Sequence, residues 1–167
     1  KNNQIEGKGS YKNGKLDGSY INYYENGKIK YETIFKDGKE EGEYTYYYEN
    51  GNIESKGIYK QGKESGEYIS YYDNGGIFLK GTFNKGKPDG NYTLYNKAGW
   101  IQVEGILHND KDDGRKTYYN KDGSIQKEGT YRNGLETGEW KSYHDNGKIY
   151  MIGNNVNFFT IKLGKDK

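Results

Sequence analysis

The sequence predicts an all-β protein, an elongated single-layer antiparallel β-meander of about six 24-residue hairpin repeats with no significant helix. Three observations carry this prediction. Nearly the same ten residues occur twice, "YYENGKIKYE" at 23–32 and "YYENGNIESK" at 47–56. Glycine occurs 26 times and proline once, which is typical of short strands joined by tight turns. Tyrosine occurs 20 times and supplies the apolar mass that aliphatic residues usually provide.

The repeat extends over almost the whole chain. Each unit reads roughly G-x-[YF]-K-x-G-K-x-x-G-x-Y-x-x-Y-Y-x-N-G-x-I-x-x-x, without insertion or deletion. Residues 1–8 are the tail of a preceding repeat, residues 9–152 are six tandem repeats, and residues 153–167 are a closing strand or cap. The six repeats start at Gly9, Thr33, Gly57, Gly81, Gly105 and Gly129. Self-similarity at a fixed period is the signature of a repeat architecture.

Several columns of the repeat do not vary, and we expect them to form its structural core. One is the glycine column Gly18, Gly42, Gly66, Gly90, Gly114 and Gly138, and another is the glycine of the Asn-Gly turn. The tyrosine column is Tyr23, Tyr47, Tyr71, Tyr95, Tyr119 and Tyr143. The isoleucine column is Ile29, Ile53, Ile77, Ile101, Ile125 and Ile149.

Each repeat contains two predicted strands. In the third repeat, the first strand runs from Ile53 to Tyr59 and the second from about Glu67 to Tyr72, after the turn "KQGKESG". The connections are too short for a helix or a crossover, so neighbouring strands are antiparallel. The Asn-Gly pair predicts a tight hairpin turn between one repeat and the next.

The alternation of side chains predicts two unlike faces. Ile53, Gly57 and Tyr59 share one face of their strand, whereas Glu54 and Lys56 point to the other. One face is therefore expected to be charged and in contact with water.

Aromatic rings are expected to lie over glycines of the adjoining strand. Across the "KQGKESG" turn, pairing Gly57 with Tyr68 also pairs Tyr59 with Gly66. A glycine leaves room for the ring, and the ring shields the glycine backbone from water.

The tyrosine column raises a question of direction. Tyr71 is expected to oppose Ile77 across the Asn-Gly turn, but Tyr68 and Tyr71 are three residues apart and point to opposite faces of a regular strand. Either a one-residue bulge separates them, or Tyr71 serves the other face. The bulge is the favoured interpretation because it places every invariant apolar residue on one side.

Two regions depart from the pattern. The fifth repeat has Leu107, Asp110 and Lys116 where other repeats have an aromatic residue, a glycine and Tyr or Trp, so we expect it to be the loosest. After Gly153 the turn pattern ends, and an apolar run predicts a strand that closes the last sheet edge. That run contains Val156, Phe158, Phe159, Ile161 and Leu163.

The motifs "YYxNGxI" and "GKxxGxYxxYY" resemble the MORN-repeat family in its bacterial variant form, over about residues 5–153. The opening "GIYKQG" departs from the YxGxW opening of eukaryotic-type MORN repeats. The resemblance implies an elongated antiparallel meander and a non-catalytic interaction role. It also implies kinship with antitoxins of toxin–antitoxin pairs and with exported surface proteins. Some MORN proteins bind lipid headgroups, but the sequence shows no basic stripe for this purpose.

The sequence offers little chemistry for catalysis. Its two histidines, His108 and His144, lie in different repeats and are expected to be exposed strand or turn residues. There is no cysteine and hence no thiolate or disulfide. The segment "NDKDDG" at 109–114 has a lysine where a calcium loop needs an oxygen ligand, so it is interpreted as a polar turn. We therefore expect no enzyme, cofactor or metal site.

A tyrosine column is the candidate binding surface. The residue after the invariant tyrosine is Tyr24, Tyr48 or Tyr72 in the first half and Asn or His later, a drift that predicts exposure to solvent. Tyr46 is expected to share the face of Tyr48, so the predicted partner-binding residues are Tyr24, Tyr46, Tyr48 and Tyr72. The alternative is that tyrosine simply suits strands and covers its neighbours.

Three functions stay open at this point. The first is a repeat scaffold for protein–protein interaction, the second an antitoxin that binds its toxin, and the third a surface module for carbohydrate or choline. Choline sites use recurrent tryptophan, and only Trp100 and Trp140 occur here.

The expected partner is a protein. A pI near 8.4 is too mild to indicate nucleic acid, membrane lipid is not favoured, and the apolar sheet face also offers a surface for self-association. Localisation is not determined by the sequence. The lack of cysteine suits an exported protein, and a first residue other than Met suggests a processed or trimmed product, so export or the cell envelope is favoured over the cytoplasm.

Overall fold

The computed structural model describes residues 6–155, and within them every regular element is a β-strand. By contacts between its residues the chain divides into two compact units, Lys1–Lys87 and Pro88–Lys167. Unit 1 contains β1 (Gly7–Lys12), β2 (Lys15–Tyr23), β3 (Ile29–Lys36), β4 (Lys39–Tyr47), β5 (Ile53–Lys60), β6 (Lys63–Glu64), β7 (Gly66–Tyr71) and β8 (Ile77–Asn84). The short strand β9 (Lys87–Pro88) lies at the boundary.

Unit 2 contains β10 (Gly90–Tyr95), β11 (Ile101–His108), β12 (Lys111–Asp112), β13 (Gly114–Tyr119), β14 (Ile125–Arg132), β15 (Leu135–Tyr143) and β16 (Ile149–Asn155). In each unit the strands pair antiparallel in sequence order, apart from the two-residue strands, which extend a neighbouring pair. The predicted all-β antiparallel meander is confirmed. The repeat boundaries stay a prediction, and the predicted closing strand beyond residue 155 lies outside the described residues.

The two kinds of turn differ from the predicted arrangement. The tight two-residue turns are those between two lysines or their equivalents, such as Gln61-Gly62, where both residues have positive φ angles of 51° and 75°. These values are typical of the type I′ turn, whose twist matches that of the two strands of a hairpin. The Asn-Gly segment instead lies in a five-residue loop, residues 48–52, closed by the bond from the Tyr48 N–H to the Asn52 carbonyl at 2.9 Å.

The predicted tyrosine–isoleucine pairs are confirmed in all six hairpins. Tyr71 pairs with Ile77, and the equivalent pairs are Tyr23 with Ile29, Tyr47 with Ile53, Tyr95 with Ile101, Tyr119 with Ile125 and Tyr143 with Ile149. The register shifts beside each pair, because Ser70 pairs with Leu79 and Tyr71 with Ile77, which leaves Phe78 without a partner. The bulge therefore lies in the isoleucine strand.

This position of the bulge overturns the expectation that all invariant apolar residues share one face. The tyrosine strand itself is regular, so its alternate residues point to opposite faces. Tyr44 contacts Tyr46 on one face, whereas the Tyr47 hydroxyl donates to Glu32, which is paired with Thr45 on the other. The tyrosine column thus lies opposite the ring cluster.

The ring-over-glycine packing exists, but its predicted partners were partly wrong. Tyr59 pairs with Glu64, not with Gly66. Gly66 pairs instead with Phe83 of the next repeat. The rings that lie over glycines include Tyr44 over Gly57, where a methyl group on the glycine would meet the ring at 3.0 Å.

The invariant glycine column that contains Gly42 lies in a wider bulge beside the tight turn. Between the pairs Thr33–Tyr44 and Phe35–Glu40, β3 contributes one residue and β4 contributes three, of which Gly42 is the middle one. Gly42 has a φ of 96°, and the glycines of this column have φ between 64° and 133°. Side chains other than glycine rarely adopt this conformation, which explains why the column does not vary.

Candidate interaction surfaces

In unit 1 the two faces of the sheet have different chemistry. We call one the ring face, which carries Tyr20, Tyr31, Tyr44, Tyr46 and Tyr59. We call the other the isoleucine face, which carries Ile21, Ile34, Ile58 and Ile69. The ring face is the better covered of the two, since Tyr31 and Tyr44 are only 7% and 3% exposed.

The ring face is held together by ring contacts and by hydroxyl groups. The Tyr31 and Tyr46 rings stack with centroids 4.2 Å apart, and Tyr44 lies 4.5 Å from Tyr59. The Tyr44 hydroxyl donates to Glu64 at 2.6 Å. Burial, and after it this hydrogen bond, raises the pKa of Tyr44. These hydroxyls therefore stay protonated and satisfied, and the face acts as a one-sided core.

In unit 2 a lysine takes the place of a ring. Lys116 stands in the column of Tyr44 and Tyr92, and its ammonium lies 5.1 Å from the Tyr131 ring centroid and 5.8 Å from that of Tyr92. Lys116 Nζ also forms an ion pair with Asp112 at 2.7 Å. Burial lowers the pKa of Lys116, but the bonds to Asp112 and Tyr92 outweigh this effect and raise it. The charge at this half-buried position is thus compensated.

Tyrosines of the invariant column, on the isoleucine face, also form hydrogen bonds to neighbouring strands through their hydroxyl groups. Tyr119 donates to Glu104 at 2.6 Å and Tyr143 to Glu128 at 2.6 Å, each residue 15 positions earlier in the chain. Tyr47 makes the equivalent bond to Glu32, and burial, followed by this bond, raises the pKa of Tyr47 to about 12. These three invariant tyrosines are therefore structural on this face as well.

The predicted partner-binding tyrosines are less accessible than expected. Tyr24, Tyr46, Tyr48 and Tyr72 are all half-buried. The Tyr48 hydroxyl donates to the Tyr71 carbonyl of the next repeat at 2.7 Å, and Tyr24 makes the equivalent bond to the Tyr47 carbonyl. These two tyrosines link successive repeats, so the expectation of a solvent-exposed column was wrong.

Tyr46 does not join these residues in one surface, because it stacks on Tyr31 within the ring face. The structure therefore does not bring the four predicted residues together. Their role in binding a partner stays a prediction.

The open surface of unit 1 is the isoleucine face. Ile34 is 48% exposed and stands beside a shallow depression lined by Ile21, Glu32 and Thr45. A second depression of the same kind lies around Ile58. Sequence reasoning missed these residues because it assigned this face to charged side chains alone.

The isoleucine face of unit 2 carries a related depression. It surrounds Ile106, which is 38% exposed, and is lined by Glu104, Arg115, Thr117 and Tyr119. Arg115 forms an ion pair with Glu128, and the Tyr143 hydroxyl, followed by Arg115, holds the pKa of Glu128 below its usual range.

Other candidate residues are placed as follows. His108 and His144 are exposed, and His108 Nδ1 lies 3.2 Å from Asp89. Trp140 is 5% exposed and packs against Tyr131, so it does not form an open aromatic cage. Within residues 6–155, no three His, Asp or Glu side chains are grouped to hold a metal ion. In the same range no helix is long and apolar enough to cross a membrane.

The repeat pattern matches a known family. The MORN repeat variant family matches residues 16–37, 40–61, 64–85, 112–133 and 136–155, which together make up more than half of the chain. The chain belongs to the MORN repeat variant family. MORN repeats form scaffolds that often mediate protein or membrane interactions, and the family is generally non-catalytic.

The remaining comparisons add little to this assignment. No curated protein matches the sequence of this MORN repeat chain. A solved structure of a mutant S. aureus TarM in complex with fondaparinux, alpha-GlcNAc-glycerol and UDP is similar, with 16% identity and a TM-score of 0.28. The match covers 72% of this chain, and this chain spans only 19% of that one. At that TM-score the likeness carries no argument about function.

Proposed function

We propose that this MORN repeat protein is a non-catalytic scaffold that binds a protein partner through its isoleucine face. The observation that carries the proposal is the exposure of Ile34 in the middle of a strand, on a sheet face where the same depression returns around Ile58. Apolar side chains at the centre of a regular surface, surrounded by polar groups, are typical of protein-binding patches.

The polar surroundings favour a partner that presents both apolar and basic groups. Glu32 and Glu43 line the depression at Ile34, and Glu43 and Glu67, beside a single lysine, Lys56, line the one at Ile58. Carboxylates at the rim of an apolar contact contribute to specificity and association rate more than to affinity.

The repeat itself supplies the variant that tests this proposal. The columns of Ile34 and Ile58 contain threonine at Thr82 and Thr130, so the fold accepts that residue there. The double substitution Ile34→Thr and Ile58→Thr is expected to leave the thermal melt within a few degrees of the unchanged protein. It should abolish recovery of the partner from extracts of the source cells.

The control bait carries Tyr11→Thr, which changes a 70% exposed ring outside the isoleucine face. The partner is expected to bind this control as it binds the unchanged chain. Equal recovery by the isoleucine variant, or no protein retained by the unchanged chain, would contradict the proposal.

A further inference from the structure

The tight turns of unit 1 gather lysines that are scattered in the sequence. Each of the first three tight turns has the pattern K-x-G-K, with a lysine on either side of the turn. Because β1, β3 and β5 all end at the same side of the sheet, these residues form one row, which we call the lysine edge. It consists of Lys12, Lys15, Lys36, Lys39, Lys60 and Lys63, and all six are exposed. The expectation that the chain has no basic stripe was therefore wrong for unit 1.

Three of the carboxylates near this edge accept hydrogen bonds from other groups. Glu41 accepts the Gln61 N–H at 2.8 Å, and Asp17 accepts the Asp37 N–H at 3.2 Å. Glu64 accepts the Tyr44 hydroxyl. In contrast, no lysine of the edge forms an ion pair with any residue in the range 6–155. The ammonium groups are thus available to an outside anion.

The rest of the protein does not share this property. At the opposite edge of unit 1 the turns carry Glu25, Glu49 and Asp73. In unit 2 the equivalent tight turns read "HNDK" at 108–111 and "RNGL" at 132–135, which have one cation each. The pattern K-x-G-K is part of the repeat, but three successive turns keep both lysines only in unit 1, so the lysine edge is a feature of unit 1.

An open trough lies between successive turns along the lysine edge. It is lined by Lys39, Lys60, Lys63 and Lys85, together with Glu41 and Gln61. Strands lie about 4.8 Å apart, so equivalent lysines two strands apart are separated by about 9.6 Å. A polypeptide in the extended polyproline II conformation has three residues per turn and rises about 3.1 Å per residue, so every third side chain points to the same side at intervals of about 9.3 Å.

From this match we propose that the lysine edge of unit 1 binds an extended acidic segment of a protein, with a carboxylate at every third residue. A polypeptide fits better than a nucleic acid for two reasons. Asp37 and Glu41 interrupt the row of lysines, so they would repel a continuous line of phosphates more than carboxylates that are spaced as the lysines are. Single-stranded nucleic acid also needs a series of exposed rings for stacking, whereas Phe35 and Tyr59 pack within the ring face and, of the three rings that precede the lysines of the edge, Tyr11 alone is exposed.

Two peptides and two variants test the proposal by fluorescence anisotropy at low salt. One labelled peptide has four glutamates at every third position among Ser and Gly, and the other has the same composition with the glutamates consecutive. The edge variant carries Lys36→Gln, Lys39→Gln, Lys60→Gln and Lys63→Gln. The control variant has the same change in charge within unit 1, with Lys28→Gln, Lys30→Gln, Lys56→Gln and Lys80→Gln.

The spaced peptide is expected to bind the unchanged chain, and to bind the edge variant at least about tenfold more weakly. The control variant should lose no more than about threefold, which is the effect of net charge. The consecutive peptide should bind more weakly than the spaced one. Absent binding, equal losses in both variants, equal binding of both peptides, or tighter binding of an oligothymidylate or of phosphatidylserine vesicles would each overturn the proposal.

The inference about the lysine edge rests on the proposed function in one respect, which is that the partner is a protein. The isoleucine variant, Ile34→Thr with Ile58→Thr, is expected to bind the spaced peptide as the unchanged chain does. If the peptide fails to bind while partner recovery still depends on the isoleucines, only the inference about the lysine edge is wrong. If peptide binding is specific but no partner depends on the isoleucines, only the proposed function is wrong.

Discussion

Gly129 lies directly under the indole of Trp140, one of the most buried side chains among residues 6–155. A methyl group at Gly129 would overlap the indole, so the ring would have to move out of its place beside Tyr131. The backbone at this position is extended, so the need for glycine here is entirely one of space. Ring and glycine thus act as a pair, and each is required because of the other.

Gly129→Ala is expected to destabilise the protein by about 1–3 kcal/mol, the usual cost of an overpacked core. Gly153→Ala is the matched control, because Gly153 has the same place in the repeat and no atom within 4 Å of an added methyl group. The control should change stability by less than about 0.5 kcal/mol. Urea unfolding followed by circular dichroism measures both, and equal effects would show that Trp140 does not need the glycine.

A second residue-scale prediction concerns Asp110, which replaces the turn glycine in the fifth repeat. Its φ of 74° lies in the left-handed region that the turn glycines adopt, such as Gly62 at 75°. Asp110→Gly should therefore stabilise the protein by about 0.5–1 kcal/mol. The reciprocal change, Gly62→Asp, meets no neighbouring atom and should cost a similar amount. A rise in melting temperature for both variants would contradict this account.

At the scale of elements, side-chain hydroxyls reinforce the links between successive hairpins. The hydrogen bond from the Tyr48 hydroxyl to the Tyr71 carbonyl connects residues 23 positions apart. Lys28 Nζ likewise donates to the Glu49 carbonyl at 2.9 Å. Such bonds tie the successive Asn-Gly loops of unit 1 to one another along the sheet edge. A hairpin on its own is marginally stable, so contacts with the neighbouring repeat determine whether it stays folded.

Tyr48→Phe removes only the hydroxyl, and it is expected to lower stability by about 1 kcal/mol because the Tyr71 carbonyl loses its donor. Tyr24→Phe should have a similar effect. The control is Tyr11→Phe, since Tyr11 is 70% exposed. Thermal melts of the three single variants give the comparison, and a loss in the control equal to that of Tyr48→Phe would remove the link between the hydroxyl and stability.

The elements show which features the sequence could predict. The 24-residue period and the six tyrosine–isoleucine pairs follow from local patterns, because pairing across a short loop depends on residues close in the chain. The face of the tyrosine column did not follow, since it depends on which strand carries the extra residue of a bulge, and both choices give the same pairs. The lysine edge was also missed, although "KNGK", "KDGK" and "KQGK" are in the sequence and the predicted meander places these turns at one edge, because their lysines are 24 residues apart in the chain and form no basic block along it.

At the scale of the whole molecule, tyrosine replaces aliphatic residues as the main core side chain. The stability of the fold is therefore expected to decrease at high pH. The structure holds several hydroxyls where ionisation is unfavourable, and burial is the first cause at Tyr31, Tyr44 and Tyr59. Carboxylate partners such as Glu40 add to the effect at Tyr31. A core of leucine and valine would have no such dependence.

The free energy of unfolding is therefore expected to be independent of tyrosine ionisation below pH 10, the pKa of an unfolded tyrosine. Above that pH the unfolded chain loses protons that the folded chain keeps, so stability falls as the pH rises toward and through the folded pKa values, about 12 for Tyr47. Each such tyrosine contributes a slope of at most about 1.4 kcal/mol per pH unit. Urea unfolding between pH 8 and 11.5, together with tyrosinate absorbance, measures the fall.

Tyr44→Phe tests whether the buried hydroxyls cause this loss. The variant lacks one of the strongly shifted groups, so its stability should fall less steeply above pH 10 than that of the unchanged protein, by up to the slope of one tyrosine. Tyr11→Phe removes an exposed hydroxyl and should leave the slope as it was. If all tyrosines ionise together near pH 10 while the strands stay folded, the ring face does not protect its hydroxyls, and its role as the core of the sheet is wrong.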